Sequence, residues 1–269
     1  MLITGHRGAK GEAPENTLSG FRHLKSLGVK AVELDVQITA DHALVVFHDH
    51  FLQEKSTGTG FIANHTLASL KQLHIKHYGK KLNDKIPTLD EVLEVIKDFE
   101  HIQLEVKAFY PNKLSLKQLA QQLANIYTKH SHQVIVTCFN VSFLKYMQQN
   151  HPQVTTGLLL EEYCFGNPDY DDEDYDAEVF WPSNKAVALA KELECQWIIP
   201  KDSILDQYTD FVEIAHQQDL KVSTWTVNDN YDMTKYQKMG VDSLITDYPS
   251  LALKTLAQDG FSSSTNPIN

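Results

Sequence analysis

His6 and Arg7 stand near the start of the chain, followed by Glu33 and Asp35, then His48, each at the end of an apolar run. Histidine titrates near neutral pH, so two of them at one rim can accept a proton from one oxygen and donate one to another. Arg7 offers a bidentate fork and Lys107 a point charge, both suited to phosphate oxygens. Carboxylates at Glu33, Asp35 and Glu105 are donors for a hard divalent cation. Each residue also has an ordinary reading. A lone histidine at a strand end is usually structural, and Arg7 and Lys107 could simply pair with the acids.

These residues need a scaffold that gathers strand ends, and barrel enzymes keep their chemistry there. Short β-rich runs recur at Leu2–Gly5, Ala31–Asp35, His101–Val106, Gln133–Cys138, Thr155–Leu160, Gln196–Ile199, Lys221–Trp225 and Asp242–Ile245. Between them lie stretches with helical spacing, such as Leu18, Phe21 and Leu24 ending at Gly28, and Leu116, Leu119, Leu123 and Ile126. Eight strands alternating with helices predict an α/β fold, a (β/α)8 TIM barrel. A doubly wound open sheet is the runner-up, but no Gly-x-Gly-x-x-Gly follows the first run.

One run breaks the alternation. Ala43–Phe47 follows the second strand across Asp41-His42, too short for a crossover helix, so Val36–Ala40 and Ala43–Phe47 are expected to form an antiparallel hairpin. Centring the turn on Asp41-His42 pairs Ala40 with Ala43 and Asp35 with His48, which returns His48 to the rim. Residues 49–87, with Gly58-Thr59-Gly60 and one helix near Leu67–Leu73, read as a small insertion capping that end. The barrel is expected to span 1–258 as one domain, with 259–269 a flexible tail. The 161–180 stretch is acidic, interleaved with Tyr163, Phe165, Tyr170 and Tyr175, and reads as a solvated loop or a lid over the site.

Side chains alternate faces along a strand, so Glu33 and Asp35 share one face while Val32, Leu34 and Val36 take the other. The apolar face must meet the helices, which turns both acids into the barrel. Glu105 and Lys107 repeat the device beside Leu104 and Val106. Three inward acids repel one another and are costly to bury uncompensated. A bound cation relieves this, and all-oxygen donors point to Mg²⁺ or Ca²⁺ rather than zinc. Trp225, at the end of its strand, reads as an inward-projecting apolar wall or, equally, as a plain core tryptophan. Asn16 reads as a cap for the first helix.

In order along the chain stand His6-Arg7-Gly8, Pro14-Glu15-Asn16-Thr17, Glu33-Leu34-Asp35-Val36, His48-Asp49, Gly58-Thr59-Gly60, Leu104-Glu105-Val106-Lys107, Trp225-Thr226-Val227-Asn228 and Thr246-Asp247-Tyr248-Pro249. This ordered set resembles the glycerophosphodiester phosphodiesterases, from residue 3 to about residue 250. The resemblance implies hydrolysis of glycerophosphodiesters to an alcohol and glycerol 3-phosphate on a TIM barrel. It implies one divalent ion held by Glu33, Asp35 and Glu105, His6 and His48 as the acid–base pair, and Glu15 and Asn16 as support beside the site. Cys138-Phe139-Asn140 departs from it, since the family more often has a serine before the phenylalanine.

The 269 residues are 42% hydrophobic, enough to bury one large core. A net charge of −11, with no Lys/Arg cluster to offset it, argues against nucleic acid as a partner. Cys138, Cys164 and Cys195 are too few and scattered for a disulfide framework or zinc knuckle. No apolar run approaches the ~20 residues of a membrane span, and no basic or apolar segment points toward a bilayer. A first strand at Leu2 leaves no room for a signal peptide, which makes the cytoplasm the expected location. His23, His42, His50, His65, His74, His77 and His101 show no ligand spacing and read as surface residues. Two other functions fit the same residues: a barrel phosphodiesterase acting on lysophospholipids or sugar phosphodiesters, and a phosphate-binding module without chemistry. Retention of both histidines and all three acids argues against the second.

Overall fold

Runs dense in valine, isoleucine and leucine form strands because such side chains pack on a pleated surface covered on both faces. The computed structural model describes residues 1–108, 113–161 and 182–259. Among them are the strands β1 (Leu2–Gly5), β2 (Ala31–Ile38), β3 (Leu44–Val46), β4 (Lys76–His77), β5 (Lys80–Lys81), β6 (His101–Val106), β7 (Val134–Cys138), β8 (Thr156–Leu160), β9 (Trp197–Pro200), β10 (Lys221–Thr224) and β11 (Ser243–Thr246). Parallel pairing runs from β1 through β2, β6, β7, β8, β9, β10 and β11 and returns to β1. Eight strands therefore close a barrel, which excludes the open sheet. Each lies within three residues of the run expected for it.

The first connection shows how the sequence builds the outer ring. Helix Leu18–Ser26 is capped by Thr17, whose hydroxyl accepts the Gly20 N–H at 3.0 Å, and its Phe21 and Leu24 are fully buried. Each such side chain contributes ~1.5–3 kcal/mol by leaving water. The helix stops at Gly28, whose φ of +80° suits a residue without a Cβ. In the connection between β6 and β7, the spacing of Leu119 and Leu123 places both in the core from helix Lys113–His130.

The hairpin exists, but its register differs from the expected one. β3 pairs antiparallel with β2 as Val36–Val46, Gln37–Val45 and Ile38–Leu44, and the Phe47 N–H reaches the Asp35 carbonyl at 3.1 Å. Asp35 therefore opposes Phe47, not His48. The loop holds three residues, with His42 at φ +63°, and the Thr39 hydroxyl anchors both Asp41 and the Ala43 N–H. Packing on both faces fixes this register. Leu44 and Val46 join the barrel core, whereas Val45 and Phe47 join a separate cluster with Leu52, Ile62, Leu70, Ile75 and Ile86. That second cluster is the core of the 49–87 insertion, which also carries the short helix Leu52–Lys55, the expected helix as Leu67–Leu70, and the β4–β5 ribbon. The acidic stretch beyond Glu161 and the tail beyond Asp259 lie outside the described residues.

His101 corrects another expectation. It opens β6 inside the barrel, 6% exposed, with its ring 4.9 Å from that of Trp197. Burial pushes its pKa down from 6.5 to about 4. Above pH 6.5 neither folded nor unfolded chain carries this proton, so the full stability is present. As pH falls below 6.5 the unfolded state binds the proton first, and stability is lost down to about pH 4. At pH 5 the expected loss from this one group is about 2 kcal/mol. Urea unfolding of His101→Phe at pH 7 and pH 5 is expected to show a pH penalty smaller by that amount. Equal penalties in both proteins contradict the assignment.

Candidate active site

β2 and β6 run in register with Asp35 beside Glu105, and strand alternation turns Glu33, Asp35 and Glu105 into the barrel. One carboxylate oxygen from each lies within 4.8 Å of the others, and all three residues are buried. The backbone converges on them as well. Arg7, in the left-handed region at φ +50°, donates its N–H to Glu33 Oε2 at 3.0 Å. Gly5 permits the turn, because a Cβ there would sit 2.0 Å from the Gly8 carbonyl oxygen.

Two cations answer the acids. Lys107 Nζ lies 2.9 Å from Asp35 Oδ1 and hydrogen-bonds Glu105, while Arg7 Nε stands 3.3 Å from Asp35 Oδ2. Burial opposes ionisation of Asp35, but Lys107 and then Arg7 outweigh it and hold its pKa below the ordinary carboxylate value. Glu33 is different. Burial, then the charges of Asp35 and Glu105, push its carboxyl well above that range, and its Oε1 is buried with no hydrogen-bond partner. An orphaned carboxylate oxygen facing two other acids is what a hard cation's donor set looks like. The three residues fit such an ion.

Each histidine is paired with its own acid. His6 Nδ1 sits 2.6 Å from Asp247 Oδ1, and His48 Nδ1 sits 2.8 Å from Asp49 Oδ1. A carboxylate only accepts, so both rings donate from Nδ1 and present Nε2 for proton transfer. His6 Nε2 lies 3.8 Å from Glu33 Oε2. Burial lowers the His6 pKa, and the Asp247 hydrogen bond opposes this. Asp247 is itself fixed: Asn228 Nδ2 donates to its Oδ2 at 2.9 Å, and Asn228 Oδ1 accepts its N–H at 2.9 Å. The sequence reading gave no role to Asp49, Asn228 or Asp247. The signal available was that all three lie in quoted motif segments at strand ends.

Asn16 does not cap the first helix, because Thr17 does. Asn16 Nδ2 instead donates to Asp35 Oδ2 at 2.7 Å, and Glu15 accepts from Arg7 Nη1 at 3.0 Å. Both thus brace the residues around the acids. His6, Arg7, His48, Glu105, Lys107 and Trp225 line one cavity of about 530 Å³. The Trp225 ring meets Phe139 edge-on at 5.7 Å, and both line this cavity. His50 also lines this cavity, which corrects its reading as a surface residue. Cys138 is buried, with its thiol pushed up to about 12 by burial, and donates to the Val106 carbonyl at 3.3 Å. The departure from serine there leaves a neutral structural group.

The glycerophosphoryl diester phosphodiesterase family model matches residues 6–251, and so spans every site residue above. The chain belongs to this family. A glycerophosphodiester phosphodiesterase of Caldanaerobacter subterraneus is 29% identical over 267 residues, covering 96% of this chain and 99% of that protein. One from Bacillus subtilis is 29% identical and covers 93% and 85%. A solved Oleispira antarctica phosphodiesterase, in complex with the product sn-glycerol-3-phosphate, is 25% identical, covers 96% and 97%, and superposes with a TM-score of 0.76.

Proposed function

We propose that this family member hydrolyses glycerophosphodiesters to an alcohol and glycerol 3-phosphate, with His6 and His48 as its acid–base pair. The observation that carries this reading is the pair of histidine–carboxylate contacts opening on one cavity with Arg7 and Lys107. Arg7 and Lys107 bind the phosphoryl oxygens and offset the charge that grows on them in the transition state. One neutral imidazole Nε2 takes the proton of the attacking oxygen. The other, protonated, gives its proton to the departing alkoxide; the two rings end with exchanged protonation states and are reset by proton exchange with water. Glu33, Asp35 and Glu105 would hold one Mg²⁺ or Ca²⁺, which supplies Lewis-acid polarisation of the phosphate. Glu15 and Asn16 hold Arg7 and Asp35 in place.

Trp225 and Phe139 give the glycerol carbons an apolar wall. The same cavity is also lined by the carboxylates of Asp49, Glu54 and Glu161, which set a negative bias for the leaving alcohol. A cationic or neutral alcohol such as choline, ethanolamine or glycerol is favoured over an anionic one, and the bias weakens with salt. Comparing kcat/KM for glycerophosphocholine, glycerophosphoethanolamine and a simple dialkyl phosphate tests this. The two glycerol esters are expected to be turned over far faster than the dialkyl phosphate. Comparable turnover of the dialkyl phosphate moves the assignment to a less specific phosphodiesterase.

A further inference from the structure

The insertion carries a feature that the cavity does not use. β4 and β5 form an antiparallel ribbon joined by Tyr78-Gly79, with φ of +48° and +74°. Two positive φ values mark a tight hairpin turn that ordinarily takes Asn, Asp or Gly at its first position. Here a tyrosine occupies it, 82% exposed, its ring resting on His77 at 4.2 Å. Such a choice costs backbone strain and gains nothing for the core. Lys80 and Lys81 follow the turn directly. Residues 74–85 hold four lysines, at 76, 80, 81 and 85, against one aspartate, in a chain whose net charge is −11. Lys80 and Lys81 are exposed and form no ion pair among the described residues.

The ribbon is fastened to one wall of the cavity. Ser56 and Ile75 form a β-bridge, and Lys76 Nζ donates to the Gln53 carbonyl at 3.1 Å, tying it to helix Leu52–Lys55. Phe51, just before that helix, lines the cavity, is 41% exposed and stacks on the exposed Phe61 at 4.5 Å. We propose that the β4–β5 ribbon docks the protein onto an anionic lipid bilayer, with the lysines on head-group phosphates and Tyr78 seated at head-group level. Tyrosine is suited to that depth by its apolar ring and polar tip. Each lysine near an anionic leaflet strengthens binding by about fivefold. A bilayer asks only for local charge and an amphipathic ring.

The proposal rests on the ribbon and not on the phosphodiesterase reading. Co-sedimentation with vesicles of phosphatidylcholine alone, or with one-third phosphatidylglycerol, tests it. Wild-type protein is expected to bind the anionic vesicles at least about tenfold more tightly than the neutral ones, with loss of binding at high salt. Lys80→Glu with Lys81→Glu is expected to remove at least about tenfold of that affinity, and Tyr78→Ser to weaken it further. Turnover of soluble glycerophosphocholine is expected to stay unchanged. If charge reversal lowers that turnover too, Lys80→Ala with Lys81→Ala decides on the same criterion. No binding to anionic vesicles, equal binding to both kinds, or charge variants that bind like wild type each overturn the proposal.

Discussion

Replacing His48 by alanine is expected to lower kcat at least about a hundredfold while leaving the barrel folded. A positioned acid or base typically contributes about 10²–10⁴-fold. His48 follows β3 outside the barrel core and its side chain is 30% exposed, so truncation opens no core cavity. His6→Ala is expected to fall by a similar factor, and the pH–rate profile of the native protein to be bell-shaped, its limbs belonging to the coupled pair. Asp247 separates proton transfer from mere packing at His6. Its hydrogen bond and charge raise the His6 pKa against burial. Asp247→Asn keeps the shape and removes the charge, so at least one limb of the profile is expected to move to lower pH with kcat reduced and KM little changed. An unmoved profile with near-native rate in His48→Ala or Asp247→Asn contradicts the assigned roles.

Chelation is expected to abolish turnover, and Glu105→Gln to weaken binding of Mg²⁺ or Ca²⁺ by more than about tenfold with the fold intact. The reason is electrostatic. Burial and the charges of Asp35 and Glu105 disfavour ionisation of Glu33 against the help of Arg7 and Lys107, and its Oε1 has no hydrogen-bond partner. A cation supplies the missing charge and removing one acid weakens its hold. Calorimetric titration of the native and Glu105→Gln proteins measures this without an activity assay. Identical ion affinities in the two contradict the ligand set.

Strand alternation made the inward aim of Glu33, Asp35 and Glu105 legible, because local periodicity decides which face each side chain takes. The eight barrel runs were legible for the same reason. What the sequence hid is non-local or depends on loop geometry. Asp247 reaches His6 only because β11 closes against β1, a pairing of 241 positions' separation that no local pattern reports. The hairpin slipped by one residue because His42, not a glycine, adopts the left-handed conformation, so the three-residue loop left no mark. His101 read as a surface residue because the polar interior at the start of β6 breaks the rule that apolar residues go inside. Asn16 and Thr17, adjacent here, are both good helix caps, and only the contact of Asn16 with Asp35 tells them apart.

The most direct test is release of glycerol 3-phosphate and choline from glycerophosphocholine by the native protein and by His48→Ala, each with Mg²⁺, with Ca²⁺ and with excess chelator. The expected result is equimolar release by the native protein with at least one ion, none with chelator, recovery when the ion is returned, and near-background release by His48→Ala throughout. No release with either ion, or undiminished release in excess chelator, contradicts the account.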